Sequence, residues 1–197
     1  MDNSGGLIEI ERKGKAGVIR FARPERKNPL SVETLEALRE AVLELQGDAS
    51  LERIVITGSG DTFAAGANIR EVAELNPETA RPFGKRGQDL MLLIHRSSKP
   101  VIAAIDGYCM GGALDLATAC RHRIASPRSV FAHPGPKLGI ITGWGGTQFL
   151  PRLIGEKRAL GMLLTGRLVS ATEALDLGLV DALAEDPFEL ALRFEAQ

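Results

Sequence analysis

Asp106-Gly-Tyr-Cys-Met-Gly-Gly-Ala-Leu-Asp115 is the stretch on which the fold turns. It follows Pro100 and the run Val101-Ile-Ala-Ala-Ile105. That run is apolar at every position, which marks a strand buried on both faces, the central kind found in parallel sheets. Past the glycine pair, Leu114, Leu116, Ala117 and Ala119 predict a helix. Strand, glycine-rich turn, helix is the repeating unit of an α/β fold.

The same unit recurs upstream. Leu7 to Glu11 alternates apolar and acidic residues, the period of a strand, and Gly17-Val-Ile-Arg-Phe21 is a second strand, joined to it through a hairpin loop at Lys13–Gly17. After the polar loop Arg23–Pro29, Ser31 caps a helix carried by Val32, Leu35, Leu38, Val42 and Leu45 and ended by Gly47. Ile54–Thr57 is a short apolar strand, Gly58–Asp61 a turn, and 62–68 a loop. A helix from Ile69 ends near Leu75, and Pro77 separates it from a long one over 78–95, with Pro82 near its first turn. Downstream, His122–Ala125 is a strand. The Gly- and Pro-rich stretch from Phe131 to Gly146 is expected to be irregular, and a segment that long in a compact domain is usually functional. Helices follow at Gly155–Leu164 and Ser170–Leu177, the latter opened by a Ser170/Glu173 capping box, and a last short one starts at Asp186-Pro187. The order β-β-α, β-α, β-α, β-α-α predicts an α/β layered fold over 1–197 as a single domain.

Composition narrows the function. A net charge of -1 offers no field to gather nucleic acid or an anionic membrane, and no basic stripe with aromatics is present. The N-terminal residues lack a basic region followed by an apolar stretch, and no apolar run approaches the ~20 residues of a membrane span. Cys109 and Cys120 read as buried thiols of a reducing compartment, so a cytoplasmic location is expected. The histidines 95, 122 and 133 are too scattered for a zinc site, and no metal is expected.

Two glycine-bearing loops, Phe63-Ala-Ala-Gly-Ala-Asn-Ile69 and the 106–115 stretch, each follow a strand and precede a helix. Small residues there let a ligand approach the backbone, and a helix N-terminus presents unpaired N–H groups. Two such groups aimed at one point would stabilise an oxyanion. Ordinary strand-to-helix turns would use the same glycines, and glycine content alone does not decide between the two. Neither loop has the dinucleotide or phosphate-loop pattern, and the G-x-S-x-G hydrolase elbow is absent.

Four segments in order resemble the enoyl-CoA hydratase/isomerase (crotonase) family. Phe63-Ala-Ala-Gly-Ala-Asn-Ile69 is similar to its F-[CA]-A-G-A-D-[IL] loop, and the 106–117 stretch to [NDH]-G-x-x-x-G-G-G-x-E-L-A. Gly143-Trp-Gly-Gly-Thr-Gln-Phe-Leu-Pro-Arg152 resembles G-x-G-G-T-Q-x-L-[PT]-R. Leu164-Thr-Gly-Arg with Ser170–Val180 resembles [LF]-T-G-x followed by A-x-E-A-x-x-x-G-[LI]-V.

The resemblance implies a spiral of ββα units with two roughly perpendicular sheets surrounded by helices, assembled as a homotrimer or hexamer. It implies an acyl-CoA thioester substrate, with coenzyme A as part of the substrate and no other cofactor. Matched loop to loop, the N–H groups of Ala67 and Gly112 would form an oxyanion hole holding a thioester enolate. Ala65, Ala67, Asn68 and Ile69 would lie along the adenine and pantetheine, and Gly111 beside Gly112. Lys27 would approach the CoA phosphates as a point charge, unless it is simply a solvated loop lysine. Tyr108 and Trp144 would line the acyl pocket, or pack the core and the loop.

The catalytic positions depart from the hydratase pattern. Hydratases of the family use two glutamates; Asp115 stands at one position and Gly135 at the other. Two-carboxylate hydration is therefore in question, while one-base chemistry (double-bond isomerisation, or hydrolysis or cleavage of a β-keto thioester) stays open, as does binding without turnover. Asp115 is the first candidate for a catalytic group, its bland alternative being an acid that stabilises the first turn of its helix. His133, two residues before the vacated position, would supply an acid/base near neutral pH or sit in the loop as an ordinary histidine. Family members usually continue into further helices that cover the acyl pocket, so that extension is expected to be short or missing.

Overall fold

The computed structural model describes residues 6–194. Strand β1 (Ile8–Lys13) and β2 (Ala16–Phe21) form the expected hairpin, and β3 (Pro29–Leu30) leads into α1 (Val32–Gly47). Then come β4 (Arg53–Thr57), β5 (Thr62–Ala64), β6 (Gly66–Ala67), α2 (Ile69–Ala73) and α3 (Pro77–His95). Next are β7 (Val101–Ile105), β8 (Tyr108–Met110), α4 (Gly112–Ala119), β9 (His122–Ala125) and β10 (Val130–Ala132). The chain continues with α5 (Gly146–Ile154), α6 (Glu156–Thr165), β11 (Val169–Ser170), α7 (Ala171–Leu177), β12 (Ala182–Leu183) and α8 (Pro187–Arg193).

Six strands make the main sheet in the order β1-β2-β4-β7-β9-β12, every pair parallel except the first hairpin. A second sheet runs β11-β10-β8-β5, and β3 pairs with β6 in a separate two-stranded ladder. As the apolar run predicts, β7 is buried at all of its positions. One face of the main sheet packs under α1, α3 and α4 through Leu38, Val42, Leu90, Leu114 and Ala117. On the other face Val18, Val55, Ile102 and Ile124 are covered by Ala191 and Phe188 of α8. Arg53 Nη1 fastens that helix by donating to Leu192 O (3.2 Å) and Phe194 O (3.0 Å). Among the described residues no helix is long and apolar enough to cross a membrane.

Three local expectations are corrected. The 62–68 loop is two short strands, because its conformation comes from pairing with β3 and β8, which local propensity does not encode. The 131–146 stretch is not irregular throughout: it holds most of β10, a 3-10 turn at Gly135–Leu138 and the start of α5. Helix α5 was hidden by the Gly145-Gly146 start and by Pro151 inside it. Pro82 sits inside α3 rather than near its first turn, while Pro77, at the helix start, follows an Asn76 cap that closes a box with Thr79.

Candidate functional site

The loops carried by β6 and by the start of α4 lie side by side. Gly66 has φ 90°, and a Cβ there would fall 2.5 Å from Met110 O and 3.0 Å from Gly112 N. Only glycine tolerates both the backbone angle and the contact. A Cβ on Gly112 would in turn lie 3.4 Å from Ala67 N. In the β3/β6 ladder Asn68 N donates to Leu30 O (3.3 Å). Successive N–H groups of a strand point to opposite sides, so Ala67 N–H faces away from β3. Gly112 is the first residue of α4, behind Gly111 at φ 55°, where an N–H has no intrahelical acceptor. Leu114 N and Asp115 N, further along, both turn back to Gly111 O.

Asp115 is wholly buried one turn into α4. Its Oδ2 accepts from Thr142 Oγ1. Its Oδ1 lies 3.5 Å from His133 Nε2, and neither that oxygen nor either His133 ring nitrogen has a hydrogen-bond partner. Burial pushes the Asp115 carboxyl up to about 7, against the opposing pull of the Thr142 hydroxyl and the N–H groups of Trp144 and Gly146. Burial also pushes His133 down to about 4, so the pair is not an ion pair at neutral pH. Gly146 makes room for it: a Cβ there would lie 2.1 Å from Asp115 Oδ1 and 3.0 Å from His133 Cε1.

Trp144 is buried against both neighbouring helices. Its pyrrole atoms cover Gly87 of α3, where a Cβ would come within 2.1 Å, and its benzo edge covers Gly112, where a Cβ would come within 2.4 Å. Phe83 packs on it with ring centroids 5.4 Å apart. Gln88 Nε2 holds the neighbouring Gly143 O at 2.8 Å. At Gly135 a Cβ would meet Ile140 O at 2.7 Å, so the loop closes over the place of a side chain.

The structure thus brings Ala67, Gly111, Gly112, Asp115, His133 and Trp144 together. The remaining candidates sit further out. Lys27 is exposed and bonded to both Asp61 oxygens at 2.8 Å, which ties up its ammonium. Ala65 is exposed, and its N–H donates to Lys27 O. Asn68 caps α2, accepting from Arg70 N, and Ile69 is exposed. Tyr108 is about half exposed at the start of β8, outside the buried cluster. His95 packs on Phe149, and His122 stands near Asp181 and Phe194.

Sequence reasoning missed Thr142, Gly146, Gly87 and Asn28. Buried Asn28, in a left-handed conformation (φ 49°), donates to Thr62 O and Phe63 O and so pins the polar loop to β5. A glycine in mid-helix, as at Gly87, costs about 1 kcal/mol against alanine and was a legible sign of close packing; Thr142 carried no such sign.

Residues 11–190 match the family model described as Enoyl-CoA hydratase/isomerase. The chain is 41% identical over 184 residues to the crotonyl-CoA hydratase of Syntrophomonas wolfei, covering 93% of this chain and 70% of that protein. It is 38% identical, with the same coverage, to the short-chain-enoyl-CoA hydratase of Clostridium acetobutylicum. The crystal structure of enoyl-CoA hydratase from Thermoplasma volcanium superposes with a TM-score of 0.91 at 37% identity, covering 95% of this chain and 75% of that one.

Proposed function

Since the chain belongs to the enoyl-CoA hydratase/isomerase family, we propose that it binds a thioester of coenzyme A and holds the enolate oxygen between the N–H groups of Ala67 and Gly112. The observation that carries this reading is the approach of those two loops at Gly66 and Gly112. Donors fixed in place before charge develops need no rearrangement, and each is worth about 3 kcal/mol of barrier.

Asp115 is the proposed proton carrier. Its carboxylate takes a proton from carbon next to the thioester, the electron pair moves onto the thioester oxygen, and the acid then returns the proton at another carbon. Such chemistry needs one base, whereas adding water across a double bond in two-carboxylate fashion needs a partner that Gly135 cannot supply. The one-base step is double-bond isomerisation; in β-keto thioester breakdown Asp115 would instead take a proton from water as the water oxygen adds to the keto carbon, the C–C bond would break to leave the thioester enolate, and the acid would return the proton to that carbon. We expect slow hydration of crotonyl-CoA, read by ultraviolet absorbance, and measurable binding of acetoacetyl-CoA. Fast hydration would sink the one-base reading, and absence of binding would sink the ligand. Replacing Asp115→Asn should abolish turnover of any substrate found and leave thioester affinity intact; unchanged turnover would remove Asp115 from the chemistry.

A second reading, an acyl-CoA binder without turnover, is favoured by one observation: Asp115 is entirely enclosed by Thr142, His133 and Gly146. Binding with no reaction in a panel of enoyl- and β-keto thioesters would select it. The family reading also assigns a homotrimer or hexamer. Exposed Leu138, Ile141, Leu160 and Leu164 supply apolar surface of the kind that subunit contacts use; a monomeric mass by sedimentation equilibrium would reject it.

A further inference from the structure

We propose that Trp144 sets the acyl-chain length accepted at the Ala67/Gly112 site, admitting short acyl groups and excluding medium-length ones. The inference deepens the proposed function and rests on it. Three observations carry it. The indole benzo edge lies directly on Gly112, the residue whose N–H would hold the thioester oxygen, so the acyl group attached to that carbonyl starts beside the ring. The ring is held toward α3: Gly87 admits its pyrrole side only because glycine has no side chain, and Phe83 packs on it. The two residues before it are both held, Thr142 through its hydroxyl on Asp115 and Gly143 through its carbonyl under Gln88.

Trp144 also forms a wall of an open cleft of about 340 Å³ lined with Leu92 and Phe149. That cleft has the apolar lining a longer acyl chain needs, and Trp144 is the residue shared by it and by the Gly112 surface. A rigid aromatic wall discriminates by size: each extra methylene that does not fit costs about tenfold or more in binding. Removing the indole joins the cleft to the site.

The test is binding of free CoA, butanoyl-CoA and octanoyl-CoA by calorimetry, with the wild type and with Trp144→Ala. The wild type should bind butanoyl-CoA about tenfold or more tighter than octanoyl-CoA, and the variant should bring the two within about threefold or reverse the order. If Trp144→Ala does not fold, Trp144→Leu gives the same comparison, since leucine fills less of the space between Gly87 and Gly112. Equal affinity for both chain lengths in the wild type, or an unchanged preference in a folded variant, would overturn the role of Trp144 while leaving the CoA reading in place. Failure to bind free CoA and both thioesters would overturn both.

Discussion

At the scale of single residues the Asp115/His133 pair has an unusual titration. In the native protein the carboxyl is pushed up to about 7 and the imidazole down to about 4. In the unfolded chain the ordinary order is restored, about 3.9 for aspartate and 6.5 for histidine. Between roughly pH 4 and 6.5 the native pair therefore holds one proton on Asp115, and the unfolded pair holds one proton on His133. The proton counts match, and the two contributions to pH-dependent stability cancel. Removing either partner exposes the other. In His133→Gln the raised carboxyl remains, so stability should fall as pH rises from about 4 to 7, by roughly 4 kcal/mol. In Asp115→Asn the depressed imidazole remains, so stability should fall as pH drops from 6.5 to about 4, by roughly 3 kcal/mol. Urea titrations at several pH values check both, and parallel profiles in the two variants would contradict the pairing. Gly146→Ala belongs to the same cluster: its methyl would enter the Asp115 carboxylate, and a destabilisation of about 1–3 kcal/mol is expected from overpacking.

At the scale of elements, what was legible depended on whether the signal was local. Helix α1 was plain because its apolar spacing and its cap are both written in consecutive residues; Ser31 Oγ accepts from Thr34 N (3.1 Å). Ser31→Ala should cost about 1 kcal/mol in thermal unfolding, with thioester binding unchanged. The antiparallel hairpin and β7 were plain for the same reason. Strands β5, β6 and β8 were not, because each is two or three residues long and is defined by partners far along the chain. The site divides in the same way. Gly112 and Asp115 were candidates through the likeness of the 106–117 stretch to the family pattern, since glycine content alone left an ordinary turn as an equal reading. The Thr142 contact, and the crossing of Trp144 over Gly87 and Gly112, depend on how α3, α4 and α5 meet.

At the scale of the whole molecule, both sheets have strand orders that follow the chain. The main sheet runs β1-β2-β4-β7-β9-β12 and the second β5-β8-β10-β11 when read from its first strand. Chain crossings between neighbours alternate between the two, so the site at β6 and α4 sits where they exchange. Arg123, nearly buried on β9, binds the late part of the chain to the early part through Leu179 O (2.9 Å), Cys120 O (2.7 Å) and Asp181 (3.0 Å). Arg123→Ala should cost about 1–3 kcal/mol, since it leaves the carbonyls of Leu179 and Cys120 without their donor while Asp181 stays solvated, and a loss below about 0.5 kcal/mol would show that these bonds are dispensable.

Sequential strand order also bears on synthesis. A ribosome releasing this chain from its N-terminus delivers each strand of the main sheet next to the one that emerged before it. No strand of the main sheet has to wedge between two earlier ones: β1 keeps one border throughout, and the other border is always the newest strand. Exposed strand borders invite pairing with other chains, and domains form as they leave the ribosome. Here that vulnerable border moves along with translation as far as β12, and α8 packs across the sheet face behind it.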